Sequence, residues 1–367
     1  MAKLGFSLYP EHEDLDSLKT YVDQFLAYPC ERVFLSLLQL DPEDQAMFAH
    51  YRAIIGYCAE KGLSVFADVS PSLITKMGWQ EDLVTQAKAF GLAGLRLDES
   101  YPDEQLVALT QNAEGLNIEL NMSTEPKLLE RLVAQGANLE NVTACHNFYP
   151  REFTGLGTAY FLDISQQFSD YDLERAAFIT AHSADTGPWP VSEGLCTLEV
   201  HRHLPLRAQY KWLAATGLVE HIIIANQKVS SEELATLATA ELLTFDMELN
   251  EGISEIERQI ITENHVYRGD VSDYVIRSTG HRAKYSQATI NPYHAGEKVS
   301  RGDILIDNSL YGRYCGELQI ALCDFQASEK TNTVGRICPE DLPLLDLIKP
   351  WQDFRFEVVT KEGGHVT

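Results

Sequence analysis

Eight times between Leu4 and about Phe245, a short β-rich run is followed by a segment of helical texture, with a period of about 30 residues. A helix of ten or more residues carries the chain back along a sheet, so each new strand enters parallel to the last and both sheet faces must be covered. The runs are Leu4–Leu8, Arg32–Leu37, Ser64–Val69, Gly94–Asp98, Asn117–Met122, Val142–Phe148, Ala176–Ala181 and His221–Ala225. Eight is the number of parallel strands that closes a TIM barrel. An open, doubly wound sheet produces the same alternation, but no Gly-x-Gly-x-x-Gly follows the first run. The fold class read from the sequence is therefore α/β, with an N-terminal (β/α)8 barrel.

The intervening segments predict helices over Leu15–Ala27, Pro42–Lys61, Gln80–Phe90, Asp103–Gln111, Pro126–Gln135, Leu206–Thr216 and Ser231–Leu242, with a less regular one within Thr158–Tyr171. Ser230 and Glu233 have the spacing of a capping box, and Gly62 and Gly136 stand where a left-handed residue ends a helix. After Glu248 the texture changes. A helical segment at Ile253–Thr262 gives way to short alternating runs, among them Asp273–Ser278, Ile304–Asp307, Glu317–Leu322 and Phe354–Val359, separated by Gly- and Pro-marked turns. A chain of 367 residues exceeds what one core usually supports. The division drawn is a barrel domain over 1–245 and a small β-barrel domain over 246–367.

The formal charge is −25, from 54 acidic and 29 basic residues. Such a field repels nucleic acid and anionic membrane surfaces, so neither is expected as a partner. A small anion is still admissible, because local arginines outweigh distant charge screened within about 8 Å. The seven cysteines include no Cys-x-x-Cys pair and mostly sit among apolar neighbours, which favours reduced thiols over disulfides or zinc. No apolar stretch approaches about 18 residues, and Met1–Pro10 already reads as a strand, so a cytoplasmic protein is expected.

Substrates of such barrels meet the C-terminal ends of the strands and the loops beyond them. There the sequence places Tyr9, Asp68, Arg96, Asp98, Glu119, Asn121, His146, Asn147, Tyr149, Arg151, Asn226 and Lys228. Side chains alternate along a strand, so Arg96 shares a face with Asp98, and Glu119 with Asn121. Charges pointing into a barrel are costly unless paired or used. Asp68, Asp98 and Glu119, on three successive strands, are thus either a satisfied ion network or catalytic carboxylates.

Two loops are too polar and aromatic for connectors. One is His146–Leu156; the other, His182–Pro205, holds Glu193, Glu199, His201 and Arg202, with Trp189 and leucines suited to an ordered lid. Glu193 and Glu199 join the three strand carboxylates as catalytic candidates. Arg96, Arg151, Arg202 and Lys228 are the cations available to an anionic substrate. His201-Arg202-His203 has the spacing of a metal pair, but a surface or hydrogen-bonded pair is the commoner use, and neither metal nor cofactor is expected. In the C-terminal part, the loop Asp307–Tyr314 offers Tyr311 and Arg313, expected to cover a polar ligand at the barrel mouth or, alternatively, to pack the small domain.

His146–Leu156 (HNFYPREFTGL), Gly194–Arg202 (GLCTLEVHR), Leu95–Asp98 (LRLD) and Gly302–Ile320 (GDILIDNSLYGRYCGELQI) resemble the family that includes the bacterial 6-phospho-N-acetylmuramidases. The likeness runs from Leu4–Pro10 to the C-terminal domain, with departures at Cys196, where proline is expected, and at Glu99-Ser100. It implies a (β/α)8 barrel, a cyclophilin-like C-terminal β-barrel, and cytoplasmic hydrolysis of 6-phosphorylated N-acetylmuramic acid disaccharides from recycled cell wall. Glycoside cleavage by a carboxylic acid and a second carboxylate agrees with the surplus of acids at the strand ends. The alternatives are a non-catalytic phosphosugar-binding protein and a sugar-phosphate isomerase or aldolase; lysines suited to the latter are scarce at the strand ends. Oligomeric state does not follow from the sequence.

Overall fold

The computed structural model describes residues 2–97, 101–188, 190–191, 193–293 and 296–359. Its first eight strands are β1 (Lys3–Leu8), β2 (Cys30–Ser36), β3 (Ser64–Val69), β4 (Gly94–Leu97), β5 (Asn117–Asn121), β6 (Val142–Cys145), β7 (Glu174–Ile179) and β8 (His221–Ile224). They pair in chain order, all parallel, and β8 returns to β1, so the barrel is closed. The chain divides into two compact units, residues 1–239 and 240–367. No helix among the described residues is long and apolar enough to cross a membrane.

Strand parity decides what the barrel axis receives. Phe6 of β1 stacks on Phe25 of helix α1 (Leu15–Phe25), so the even residues of β1 face the helices and Gly5, Ser7 and Tyr9 face the axis. The register carries that parity round the barrel. Ser36 is paired with Asp68, Asp68 with Arg96, Arg96 with Glu119 and Glu119 with Thr143. Gly94 belongs to the neighbouring row, and a Cβ there would overlap the Phe66 ring.

The other helices of this unit are α2 (Gln45–Glu60), α3 (Pro71–Lys76), α4 (Leu83–Phe90), α5 (Asp103–Thr110), α6 (Leu128–Ala134), α7 (Thr158–Ser169), α8 (Leu206–Thr216) and α9 (Ser231–Ala235). Helix α3 is absent from the sequence-based reading, which assigned no element to Ser70-Pro71-Ser72. Those residues instead start a helix: the Ser70 hydroxyl accepts the Leu73 N–H and Pro71 occupies the first turn, where no N–H is needed. Gly62 and Gly136 have positive φ as expected. The capping box at Ser230 is only half formed. Its hydroxyl accepts the Glu233 N–H, but the Glu233 carboxylate turns to the His182 and Ser183 amides, each at 2.8 Å.

The second unit holds β9 (Thr244–Leu249), α10 (Glu255–Thr262), β10 (His265–Val266), β11 (Val275–Arg277), β12 (Lys298–Val299), β13 (Asp303–Asp307), β14 (Leu318–Ala321), β15 (Phe325–Gln326), β16 (Thr331–Ile337) and β17 (Asp353–Val358). Seven of these strands form one sheet, in the order β10-β17-β9-β16-β13-β14-β11. A single bridge between Tyr267 and Ser278 joins its two edges, which curls the sheet into a small barrel. Strands β12 and β15 form a separate ribbon. Helix α10 carries the reciprocal capping box, made by Ser254 and Glu257.

Candidate active site

Two buried arginines on the axis side of the barrel each hold a carboxylate. Arg96 donates to Asp68 Oδ1 at 2.9 Å and, through its other terminal nitrogen, to the side-chain oxygen of Asn147. Arg32 forms an ion pair with Glu119, and its guanidinium lies 3.7 Å from the centroid of the Phe66 ring. Thr143 adds a long hydroxyl contact to Glu119 at 3.4 Å. Burial lowers the Arg32 pKa to about 10, which still leaves it cationic at neutral pH. Asp68 and Glu119 therefore sit in the barrel with a cationic partner each, the arrangement that makes a buried carboxylate tolerable.

Beside this network lies a cavity of about 480 Å³, whose lining includes Tyr101, Glu119, Asn121, Thr124 and Asn147. Apart from Glu119, which lies within β5, these residues stand at or beyond the C-terminal ends of β4, β5 and β6, the end at which barrels of this type receive substrate. A second opening, of about 630 Å³, lies among the loops after β1, β2 and β7 and is lined by Glu11, His12, Gln39, Asp185 and Thr186. Asp98 lies outside the described residues, as do Glu99, Ser100 and Trp189.

The loop carrying Asn147 is held by Ser123, which sequence reasoning did not single out. Its hydroxyl accepts the Asn147 N–H at 2.8 Å and contacts His146 Nδ1 at 3.1 Å, while its backbone carbonyl accepts from the Tyr160 hydroxyl. His146 itself points away from the axis, between Ser123 and Ser165 and against Phe161. Burial, with the Arg96 charge second, pushes its pKa down to about 3, so it stays neutral. The expectation that His146 lines the site is corrected on this ground: both ring nitrogens are engaged by protein hydroxyls.

Glu199 and Arg202 clamp the two long loops together. Arg202 is buried and donates through Nε and Nη2 to the two Glu199 oxygens at 2.8 and 2.7 Å. Its Nη1 reaches the carbonyls of Tyr149, Glu193 and Gly194. Glu199 also accepts the Phe153 and Gly155 amides, and with Arg202 as the largest cause its pKa falls to about 2. Glu193 is exposed and accepts the Glu152 N–H. Bridges Tyr149–Cys196 and Leu156–Leu198 complete the junction, and Leu195 enters the apolar cluster with Phe34 and Phe178. The later part of His182–Pro205 is thus wall rather than lid.

Tyr9 and Asn226 are buried and also committed to the protein. The Tyr9 hydroxyl donates to the Ala225 carbonyl, and Asn226 exchanges hydrogen bonds with the Ala181 backbone. Tyr149 is partly buried next to Asn147, and burial raises its pKa. Arg151 is exposed; Lys228, at positive φ, is half exposed and paired with Glu13. His201 packs edge-on against Trp212, whereas His203 stands at the surface near Glu152, so the two imidazoles do not converge. Among the described residues no group of three His, Cys, Asp or Glu is placed to hold a metal ion. In the second unit, Tyr311 lines a cavity of that unit and Arg313 packs on the Tyr314 ring.

Comparison with known proteins gives two family models that together span nearly the whole chain. One, described as 6-phospho-N-acetylmuramidase, N-terminal, matches residues 4–239; the other, 6-phospho-N-acetylmuramidase, C-terminal, matches residues 243–357. Among solved structures, an uncharacterized B. cereus protein is 37% identical, with 97% of this chain and 99% of that one covered and a TM-score of 0.86. A conserved protein of unknown function from Enterococcus faecalis is 27% identical, covering 98% and 97%, with a TM-score of 0.72. No curated protein matches the chain.

Proposed function

The chain belongs to the 6-phospho-N-acetylmuramidase family, and from that premise we propose that it hydrolyses the glycosidic bond of disaccharides bearing 6-phosphorylated N-acetylmuramic acid. The reaction is placed in the cytoplasm, as a step in reuse of cell-wall sugars, and needs no metal or cofactor. The observation that supports it best is the Asp68–Arg96–Asn147 chain leading into a cavity of small-ligand size at the C-terminal mouth.

Glycoside cleavage needs a proton for the leaving oxygen and a second carboxylate that acts as nucleophile or base. Arg96 pairs with Asp68 at 2.9 Å and fixes the direction of its carboxylate, which suits the second role. Glu119 lines the cavity, and Asp98, outside the described residues, is kept as a candidate from the sequence alone. The catalytic pair is therefore assigned within Asp68, Asp98 and Glu119, while Glu193 and Glu199 hold loops. Asn121, Asn147 and Tyr149 are the neutral groups offered to sugar hydroxyls. Arg151, with Lys228 as the other candidate, is the cation offered to the phosphate.

The test is turnover of 6-phospho-N-acetylmuramyl-N-acetylglucosamine by the purified chain, followed by release of reducing sugar. Asp68→Asn, Asp98→Asn and Glu119→Gln are compared with the parent, and at least one loses about 100-fold or more while staying folded. The unphosphorylated disaccharide reacts at least about tenfold more slowly, since a charge-assisted hydrogen bond contributes roughly 1.5–3 kcal/mol. Near-normal rates in all three variants would overturn the assignment; equal rates on the two sugars would remove the phosphate requirement.

A further inference from the structure

The second unit contains a cavity of about 400 Å³ that the proposed hydrolysis does not use. Its floor is one face of the curled sheet. Register places Leu305 opposite Gln319 and Thr333, and Asp307 opposite Thr331, so these side chains share that face. The ribbon β12–β15 contributes Val299 and Phe325, and Tyr274 and Tyr311 stand partly exposed at the opening. Leu305, Val299, Ala321 and Phe325 form the apolar wall.

At the floor stands a buried carboxyl without a counter-ion among the described residues. Asp307 is 2% exposed. It accepts the Thr331 hydroxyl on one oxygen at 3.0 Å and the Gln319 amide on the other at 3.2 Å, and both donors are neutral. No cation among the described residues forms an ion pair with Asp307, and Arg277 of β11, on the same face of the sheet, lowers its pKa only as a longer-range charge. Arg277 is hydrogen-bonded to Glu317 at 2.7 Å and reaches Asp270 at 3.4 Å, while Glu317 adds a second negative charge. Lys330 sits over the Tyr311 ring, 5.7 Å from its centroid. Burial first, with Glu317 contributing, pushes the Asp307 pKa up to about 7.

A buried acid with two neutral donors, no ion-paired cation among the described residues and three aromatic rings around an open cavity is a place where a positive ligand group gains twice. It ion-pairs with the carboxylate and meets the electron-rich ring faces. We propose that the second unit carries its own binding pocket for an organic ammonium group, with Asp307 as counter-ion and Tyr274, Tyr311 and Phe325 as walls. An anionic ligand would be repelled by the same carboxyl, and an uncharged one would leave its desolvation cost standing.

The experiment is calorimetric titration of the full chain with butylammonium chloride, with butanol as the uncharged probe of similar shape. Butylammonium binds at least about tenfold more tightly than butanol. Asp307→Asn, which keeps the volume and can still accept from Thr331, removes that preference, and its folding is checked by near-ultraviolet circular dichroism. Because the ligand requires the ionised acid, affinity falls roughly tenfold between pH 8 and pH 6, a range in which an alkylammonium stays charged. Phe325→Leu weakens binding severalfold and provides a second variant should Asp307→Asn fold poorly. Equal affinity for the two probes, no heat with butylammonium at either pH, or an unchanged preference in a folded Asp307→Asn would overturn the proposal.

Discussion

Replacing Glu199 by glutamine separates a loop clamp from a catalytic acid. The carboxylate makes four hydrogen bonds, two from Arg202 and one each from the Phe153 and Gly155 amides. Glutamine keeps an acceptor on one side and presents an NH2 to donors on the other, so about half of these are lost and Arg202 remains buried without its counter-charge. The fall of the Glu199 pKa from 4.5 to about 2 corresponds to about 3 kcal/mol, which its partial exposure of 27% reduces to about 2. Adding the desolvated guanidinium brings the expected loss to about 3 kcal/mol at pH 7, or roughly 1 M in the urea midpoint of the barrel unit. The sign of the pH dependence follows from a depressed acid: the stabilisation is complete above about pH 4.5 and disappears as pH falls towards 2. Urea titrations of parent and Glu199→Gln, followed by tryptophan fluorescence at pH 7 and pH 3, should therefore differ by less than half as much at the lower pH. A variant with the parent's midpoint at pH 7 and an abolished rate would refute the clamp and return Glu199 to the chemistry.

Two further substitutions test the barrel interior. Gly94→Ala places a methyl against the Phe66 ring, which itself supports the Arg32 guanidinium; a loss of about 1–3 kcal/mol, read as a melting temperature lower by roughly 5 °C, is expected, and an unchanged value would mean that Phe66 has another position to adopt. Arg96→Met removes the cation from Asp68 and the donor from Asn147, with an expected cost of about 3–5 kcal/mol and a rate reduced by about 100-fold or more; a folded variant that keeps the parent's rate would exclude Arg96 from positioning Asp68.

The eight-strand alternation was legible because parallel strands covered on both faces leave continuous apolar runs, and the C-terminal change of texture was legible for the complementary reason. Pairing across the barrel was less so. Asp68 and Arg96 lie on adjacent strands and share a face by simple parity, whereas Arg32 and Glu119 belong to β2 and β5 and meet only through the interior, a contact to which no local periodicity refers. The misplacement of His146 was avoidable. Thr143 pairs in register with Glu119 on the axis side, so Cys145 and Asn147 face inward and His146 outward. Glu199 and Arg202 were visible as an acid and a base three residues apart, but only the backbone amides of the other loop reveal what they hold.

The disposition of arginines bears on where a phosphorylated sugar would lie. Arg32 and Arg96 each face a carboxylate, and Arg202 is engaged at all three guanidinium nitrogens, so the buried cations are already in use by the fold. The amides of His182 and Ser183, in the loop after β7 where barrels often receive a phosphate, are taken by Glu233. The other two cations named for an anionic substrate stand at the rim: Arg151 is exposed, and Lys228, half exposed, would have to exchange its Glu13 partner. Under the proposed activity the phosphate is then held at the rim while the bond to be broken sits over Asp68, and binding energy from the remote group positions the sugar on the buried acids.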